Sequence, residues 1–139
     1  MIRVARASDA LDIAALAGHL GYPAEAADIP PRLAALEAAG RAVALVAEID
    51  GRVVGLITSH ILATLHHTEP VALLTTLVVS EGARGAGVGR ELVRAAEDWA
   101  RGEGAERMSV TSGLQRADAH QFYERLGYAR TGVRFGKVL

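Results

Sequence analysis

LTTLVVSEGARGAGVGRELVRAAEDWA, residues 74–100, holds three patterns in one stretch. LTTLVVS is an apolar, β-rich run. RGAGVG (84–89) places glycines at Gly85, Gly87 and Gly89, and RELVRAAEDWA repeats apolar residues at helical spacing. Glycine costs backbone entropy on folding and has no side chain to pack. Alternate glycines between a strand and a helix therefore mark a place where something comes close to the backbone. Strand, turn and helix in this order put the chain among mixed α/β folds.

The flanking sequence extends that reading. AVALVAEI (42–49), Asp50-Gly51 and RVVGLITSHI (52–61) form a hairpin, because Asp-Gly between two β-rich runs favours a type I′ turn. LATLHHTEP (62–70) is a loop, and VALLTTLVV (71–79) is a strand buried on both faces. Nearer the start, IRVAR (2–6) is a short strand. Ser8 caps a helix with Asp9 and Asp12 in its first turn, and Leu11, Ala15, Leu16, His19 and Leu20 form its apolar stripe. Gly21 and Pro23 end it. Pro30 and Pro31 open a second helix that Gly40 closes. After the glycine turn, a helix over 88–103 carries Val88, Leu92, Ala96 and Trp99 on one stripe. A strand at 107–111, a short helix at 118–126 and a last strand at 128–135 complete the chain. No repeat or linker interrupts it, so residues 1–139 read as one domain.

Composition narrows the function. With 15 basic and 16 acidic residues the net charge is −1, which provides no field for collecting nucleic acid or an anionic membrane. There is no cysteine, hence no disulfide, thiolate nucleophile or cysteine-type zinc site. The longest uncharged stretch, 53–68, is short for a membrane span and carries Ser, Thr and His. Residues 1–16 lack a signal-peptide core, so a cytoplasmic protein is expected.

A strand, a glycine turn and a helix N-terminus together make an anion site. Unbonded N–H groups leave the first helical turn, and the helix dipole adds partial positive charge. Residues 82–90 contain no acid, and Arg84 and Arg90 flank the turn. A P-loop would need Lys and Ser/Thr where Arg90 and Glu91 stand. The dinucleotide fingerprint would need a glycine at position 90. What remains is R-x-x-G-x-G, from Arg84 through Gly87 to Gly89, a turn suited to a pyrophosphate.

A second stretch, TSGLQRADAHQFYERLGY (111–128), gives the turn a context. LVVSEGARGAGVGRELV together with A-H-x-F-Y-E-x-L-G-Y resembles the two motifs of the GNAT superfamily of acyl-CoA-dependent N-acyltransferases. The resemblance implies a mostly antiparallel mixed sheet of about six or seven strands, about four flanking helices, and a splayed V at the strands that bind CoA. It implies acetyl-CoA as acyl donor, a primary amine of a small molecule or peptide as acceptor, and no metal; it also allows a homodimer. Arg84, Gly85, Ala86, Gly87, Val88, Gly89 and Arg90 match the pyrophosphate loop. Leu77, Val78 and Val79 match the strand that pairs with the pantetheine arm. Ala119 and Phe122 match the channel near that arm, and Tyr123 matches the general acid that protonates the departing thiolate. Phe122 also reads as core, with Leu126, Tyr128 and Trp99.

Two positions depart from the pattern. Arg116 stands where asparagine is frequent, as in a subset of the family. Thr75 and Thr76 stand where many members carry a carboxylate base, and a threonine hydroxyl cannot serve as a base near neutral pH. Deprotonation then falls to an ordered water, to the loop bearing His66, His67 and Glu69, or to an amine that ionises before binding. His66 and His67 are adjacent and point to different sides of an extended chain, which argues against a metal. The missing carboxylate also leaves room for a CoA-binding sensor, and a protein lysine or N-terminal acetyltransferase is a further alternative.

Overall fold

The computed structural model describes residues 1–111 and 117–139. They divide into two compact units, Met1–Ser109 and Val110–Leu139. The elements run β1 (Ile2–Val4), α1 (Ala10–His19), α2 (Ile29–Ala39), β2 (Ala42–Ile49), β3 (Arg52–Leu62), β4 (Val71–Val79), α3 (Val88–Gly102), β5 (Arg107–Val110) and α4 (Ala117–Arg125). The fold is α+β, with a mixed sheet in the order β1-β2-β3-β4-β5 whose first four strands are antiparallel. Among the described residues it has five strands, not six or seven. Residues 128–135, expected as the last strand, form none. An alternating pattern becomes a strand only where a neighbour offers ladder groups, and here Val133 and Phe135 stand 68% and 90% exposed. No described helix is long and apolar enough to cross a membrane.

In the first unit the sheet is covered on both faces. Ala44, Val46, Leu56 and Val78 pack with Ile13 and Leu16 of α1 and Ile29 of α2. The opposite face meets α3: an added Cβ at Gly55 would lie 2.8 Å from Leu92 Cδ1 and 3.2 Å from Val88 Cγ1. Gly55 is thus the seat on which the first turns of α3 rest. At the other end of α3, Arg41 donates to the Glu103 carbonyl at 2.6 Å. The hairpin turn is as expected, with Asp50 and Gly51 at φ 51° and 76°.

The entry to α1 differs from expectation. Ser8 does not cap the helix; Asp9 accepts from the Arg6 N–H at 2.8 Å and binds Arg3 through two bonds of 2.9 Å. Arg3 also donates to Glu48 Oε1 at 2.7 Å. Asp9 is buried, and the Arg3 guanidinium holds its carboxyl below the usual value against the opposing effect of burial. Asp12 accepts from the Val53 N–H at 3.0 Å. These two ties turn Ile13 and Leu16 inward and leave Leu11, expected on the stripe, 74% exposed.

Two bulges interrupt the ladders. Ala47 pairs with Gly55 and Glu48 with Val53, so Val54 is an extra residue of β3. Its carbonyl accepts from the Ser80 N–H at 2.7 Å, which fixes the chain as it leaves β4. On β4, Thr58 pairs with Thr76 and Ser59 with Leu74, so Thr75 is the extra residue. β4, expected to be buried on both faces, is buried only at Ala72, Leu74 and Val78; its other residues are half-buried, and Thr75 is exposed.

The second unit carries α4. Tyr123 stacks edge-on with Phe122 and Tyr128, with ring centroids 5.3 and 5.9 Å apart. The Tyr128 N–H returns to the Tyr123 carbonyl at 3.0 Å, past Gly127 in the left-handed conformation, which closes the helix.

Candidate functional site

The glycine turn grows out of this ladder. The Ser80-to-Val54 bond makes Gly55 and Val79 a non-hydrogen-bonded pair, so the N–H and C=O of Val79 point away from β3. Two residues back, Leu77, opposite Ile57, is oriented the same way. Val78 lies between them; its backbone faces β3, and its side chain is buried in the core. Of the three arm-pairing candidates, Leu77 and Val79 therefore turn their backbone groups to the edge of β4 away from β3, the edge that β5 borders, and Val78 does not.

A short 3-10 turn (Glu81–Ala83) follows, then Arg84 in extended conformation. Gly85 and Gly87 have φ of 83° and 82°, a region that L-residues with a Cβ visit only under strain. A Cβ added at either would touch nothing within 4 Å, so the space above the turn is open. Conformation, not packing inside the chain, requires these two glycines. Gly87 is also the N-cap of α3 and supplies no capping side chain. The first intrahelical bond runs from the Glu91 N–H to the Gly87 carbonyl at 3.0 Å. The N–H groups of Val88, Gly89 and Arg90 precede it and have no acceptor within the helix.

Side chains around the turn sort into seat and rim. Val88 is buried against Gly55, so only its backbone can serve a ligand. Ala86 and Arg90 are exposed, and Gly89 is half-buried. Arg84 is exposed and donates through Nε to the Val79 carbonyl at 3.2 Å. That bond occupies one of the outward groups of β4.

Thr75 Oγ1 lies 2.7 Å from Thr58 Oγ1 and 3.4 Å from the Thr58 carbonyl. Thr58 itself is buried. No sequence pattern announces this hydroxyl pair, because it depends on a bulge that periodicity does not show. Gly55, by contrast, had a visible signal: a glycine inside an otherwise β-rich run.

Ala119, Phe122 and Tyr123 lie in the second unit, all half-buried on α4. His120 Nδ1 lies 3.3 Å from the Arg130 guanidinium. Arg116 lies outside the described residues. In the 62–70 loop, His66 and Glu69 are exposed and His67 half-buried. Among the described residues, no group of three His, Cys, Asp or Glu could hold a metal ion.

Comparison with known proteins adds to this geometry. The acetyltransferase (GNAT) family model matches residues 12–128. The aminoalkylphosphonate N-acetyltransferase of Salmonella typhimurium LT2 is 40% identical over 90 residues, 65% of this chain and 58% of that protein. The matched stretch thus spans less than two thirds of that relative's own length. A solved protein of Agrobacterium tumefaciens C58, assigned as an acetyltransferase, superposes with a TM-score of 0.89 at 25% identity, covering 100% of this chain and 99% of its own. The aminoglycoside 6'-N-acetyltransferase of Acinetobacter haemolyticus shares the fold, with a TM-score of 0.83 at 24% identity over 100% of this chain and 99% of its own.

Proposed function

The chain belongs to the acetyltransferase (GNAT) family, and from that premise we propose that it transfers the acetyl group of acetyl-CoA to a primary amine of a small molecule. Residues 1–139 act in this reading as one acetyltransferase domain. The observation that carries it is the open turn at Gly85–Gly87, set before the uncapped first turn of α3. Its N–H groups suit the pyrophosphate of CoA, and Leu77 and Val79 offer outward groups to an extended amide arm. The amine nitrogen attacks the thioester carbonyl, the C–N bond forms and the C–S bond breaks. Tyr123 returns a proton to the thiolate sulfur, and the proton shed by nitrogen passes to water. The kinship with an aminoalkylphosphonate N-acetyltransferase supports a small acceptor with an anionic group beside its amine.

The reading is tested by following free CoA release across an amine panel led by aminoalkylphosphonates, beside calorimetry of acetyl-CoA binding. Micromolar binding, roughly 8 kcal/mol, with turnover of at least one amine is the expected result. Tyr123→Phe removes one oxygen and lowers turnover by about 10- to 1000-fold while acetyl-CoA affinity stays. Unchanged turnover assigns Tyr123 to packing. The threonine at the position of the usual carboxylate favours one second reading, a CoA-binding sensor, and tight binding without turnover of any amine selects it.

A further inference from the structure

We propose that Thr75 holds the acceptor amine, presenting an oxygen whose proton is already committed elsewhere. The inference rests on the acetyl-transfer reading and adds to it a residue that recognises the acceptor.

The hydrogen bonds define the direction. Thr75 Oγ1 has two neighbours, the Thr58 carbonyl at 3.4 Å and Thr58 Oγ1 at 2.7 Å. A carbonyl oxygen can only accept, so for both contacts to be hydrogen bonds Thr75 gives its one proton to the Thr58 carbonyl. Thr58 then gives its own proton to Thr75 Oγ1. Thr75 is left with a lone pair and nothing to donate. Toward a ligand it behaves as an acceptor alone, suited to an N–H. Neither hydroxyl takes up a proton near neutral pH, so the pair orients the amine and is not its base.

The fold sets that oxygen in the right place along β4. If the pyrophosphate sits over residues 84–90, the arm meets first the outward groups of Val79 and then those of Leu77. Its reactive end therefore continues toward lower residue numbers, where the next two-residue step, about 7 Å, reaches Thr75. The bulge turns this residue out to solvent while its neighbours stay covered: Thr75 is exposed, and Thr76 and Leu77 are half-buried. A regular strand would leave no such extra residue.

The test uses the full chain, acetyl-CoA, and aminomethylphosphonate or the panel amine that is turned over fastest. Thr75→Val keeps the shape and removes the oxygen, so kcat/KM for the amine falls by about 10-fold or more, with acetyl-CoA affinity within twofold of wild type. Thr75→Ser restores kcat/KM to within about threefold, since the hydroxyl is back. Thr58→Val removes the bond that Thr75 Oγ1 accepts, leaves the Thr75 hydroxyl held only by its 3.4 Å bond to the Thr58 carbonyl, and costs about threefold. Retained acetyl-CoA binding shows that each variant is folded. Wild-type kcat/KM in Thr75→Val, no rescue by serine, or an equal loss of acetyl-CoA affinity each overturns the inference while leaving the functional reading intact. A wild-type protein that turns over no amine overturns that reading, and the inference with it.

Discussion

At the corner where β1 meets α1, polar groups find their partners inside the chain. Arg3 holds Asp9 and Glu48, Asp9 takes the Arg6 N–H, and Asp12 takes the N–H that the Val54 bulge releases from the ladder. At the corner where β4 meets α3, the same devices leave groups over. A second bulge turns Thr75 out to solvent, Leu77 and Val79 turn their backbone groups from β3 to the opposite edge of β4, and three helical N–H groups follow a glycine cap without a capping side chain. The difference teaches where to look for chemistry. A bulge or a helix end whose groups are matched internally holds the fold together, and one whose groups are left over is prepared for something from outside.

The sharpest way to break this contrast is to remove a matched group. Asp9→Ala strands a largely buried guanidinium and should cost about 3 kcal/mol of stability, the low end for a broken buried pair because Glu48 remains. Urea unfolding measures it, and acetyl-CoA affinity of the folded variant should not change. Acid should do the same gradually. Asp9 has its carboxyl pKa lowered in the fold, so its contribution is complete above the unfolded value, about 3.9, and fades as pH falls through the lower folded value. A variant as stable as wild type would place the corner among ordinary surface pairs.

Gly55→Ala probes the boundary between the two corners. Its Cβ would press on Leu92, which is fully buried and has no free space to move into, so a loss of about 1–3 kcal/mol is expected. Because the strain falls under the first turns of α3, acetyl-CoA binding should weaken as well. A lower melting temperature with unchanged affinity would separate the seat from the turn above it.

Gly87→Glu acts on the leftover groups and also strains a backbone held at φ 82°. It brings negative charge to the first turn of α3 and should weaken acetyl-CoA binding at least 10-fold, about 1.4 kcal/mol. Gly87→Asn tolerates the left-handed conformation and adds no charge, so its affinity should stay within about threefold. Equal calorimetric constants for Gly87→Glu and wild type would mean that the turn binds no phosphate.

The contrast also explains what the sequence made legible. Backbone conformation is written locally: Asp50-Gly51 and the turn at Gly85–Gly87 take the positive φ that their residues favour. Element order followed from periodicity for the same reason. The matched corner was hidden because Arg3 and Glu48 are 45 positions apart, and because Ser8 looks like a cap when Asp9 is not known to have a partner. The bulges at Val54 and Thr75 were hidden because register belongs to pairs of strands, while periodicity describes one strand at a time. The pattern at 128–135 misled in the opposite direction, since alternation states a willingness to pair and not a partner. Of the candidate site, the conformation of the glycine turn was legible, whereas the separation of Leu77 and Val79 from Val78 needed the ladder.

Gly55 has a consequence for how such a sequence can drift. A Cβ on the turn above it would meet nothing, so Ala86 can change without disturbing the core, while Gly85 and Gly87 are held only by their own positive φ. Gly55, Val88 and Leu92 have no such freedom, because they share one volume. A larger residue at 55 becomes acceptable only after a smaller one has appeared at 88 or 92. Diverging lineages would have to cross that step in order, with the helix trimmed first and the strand enlarged second.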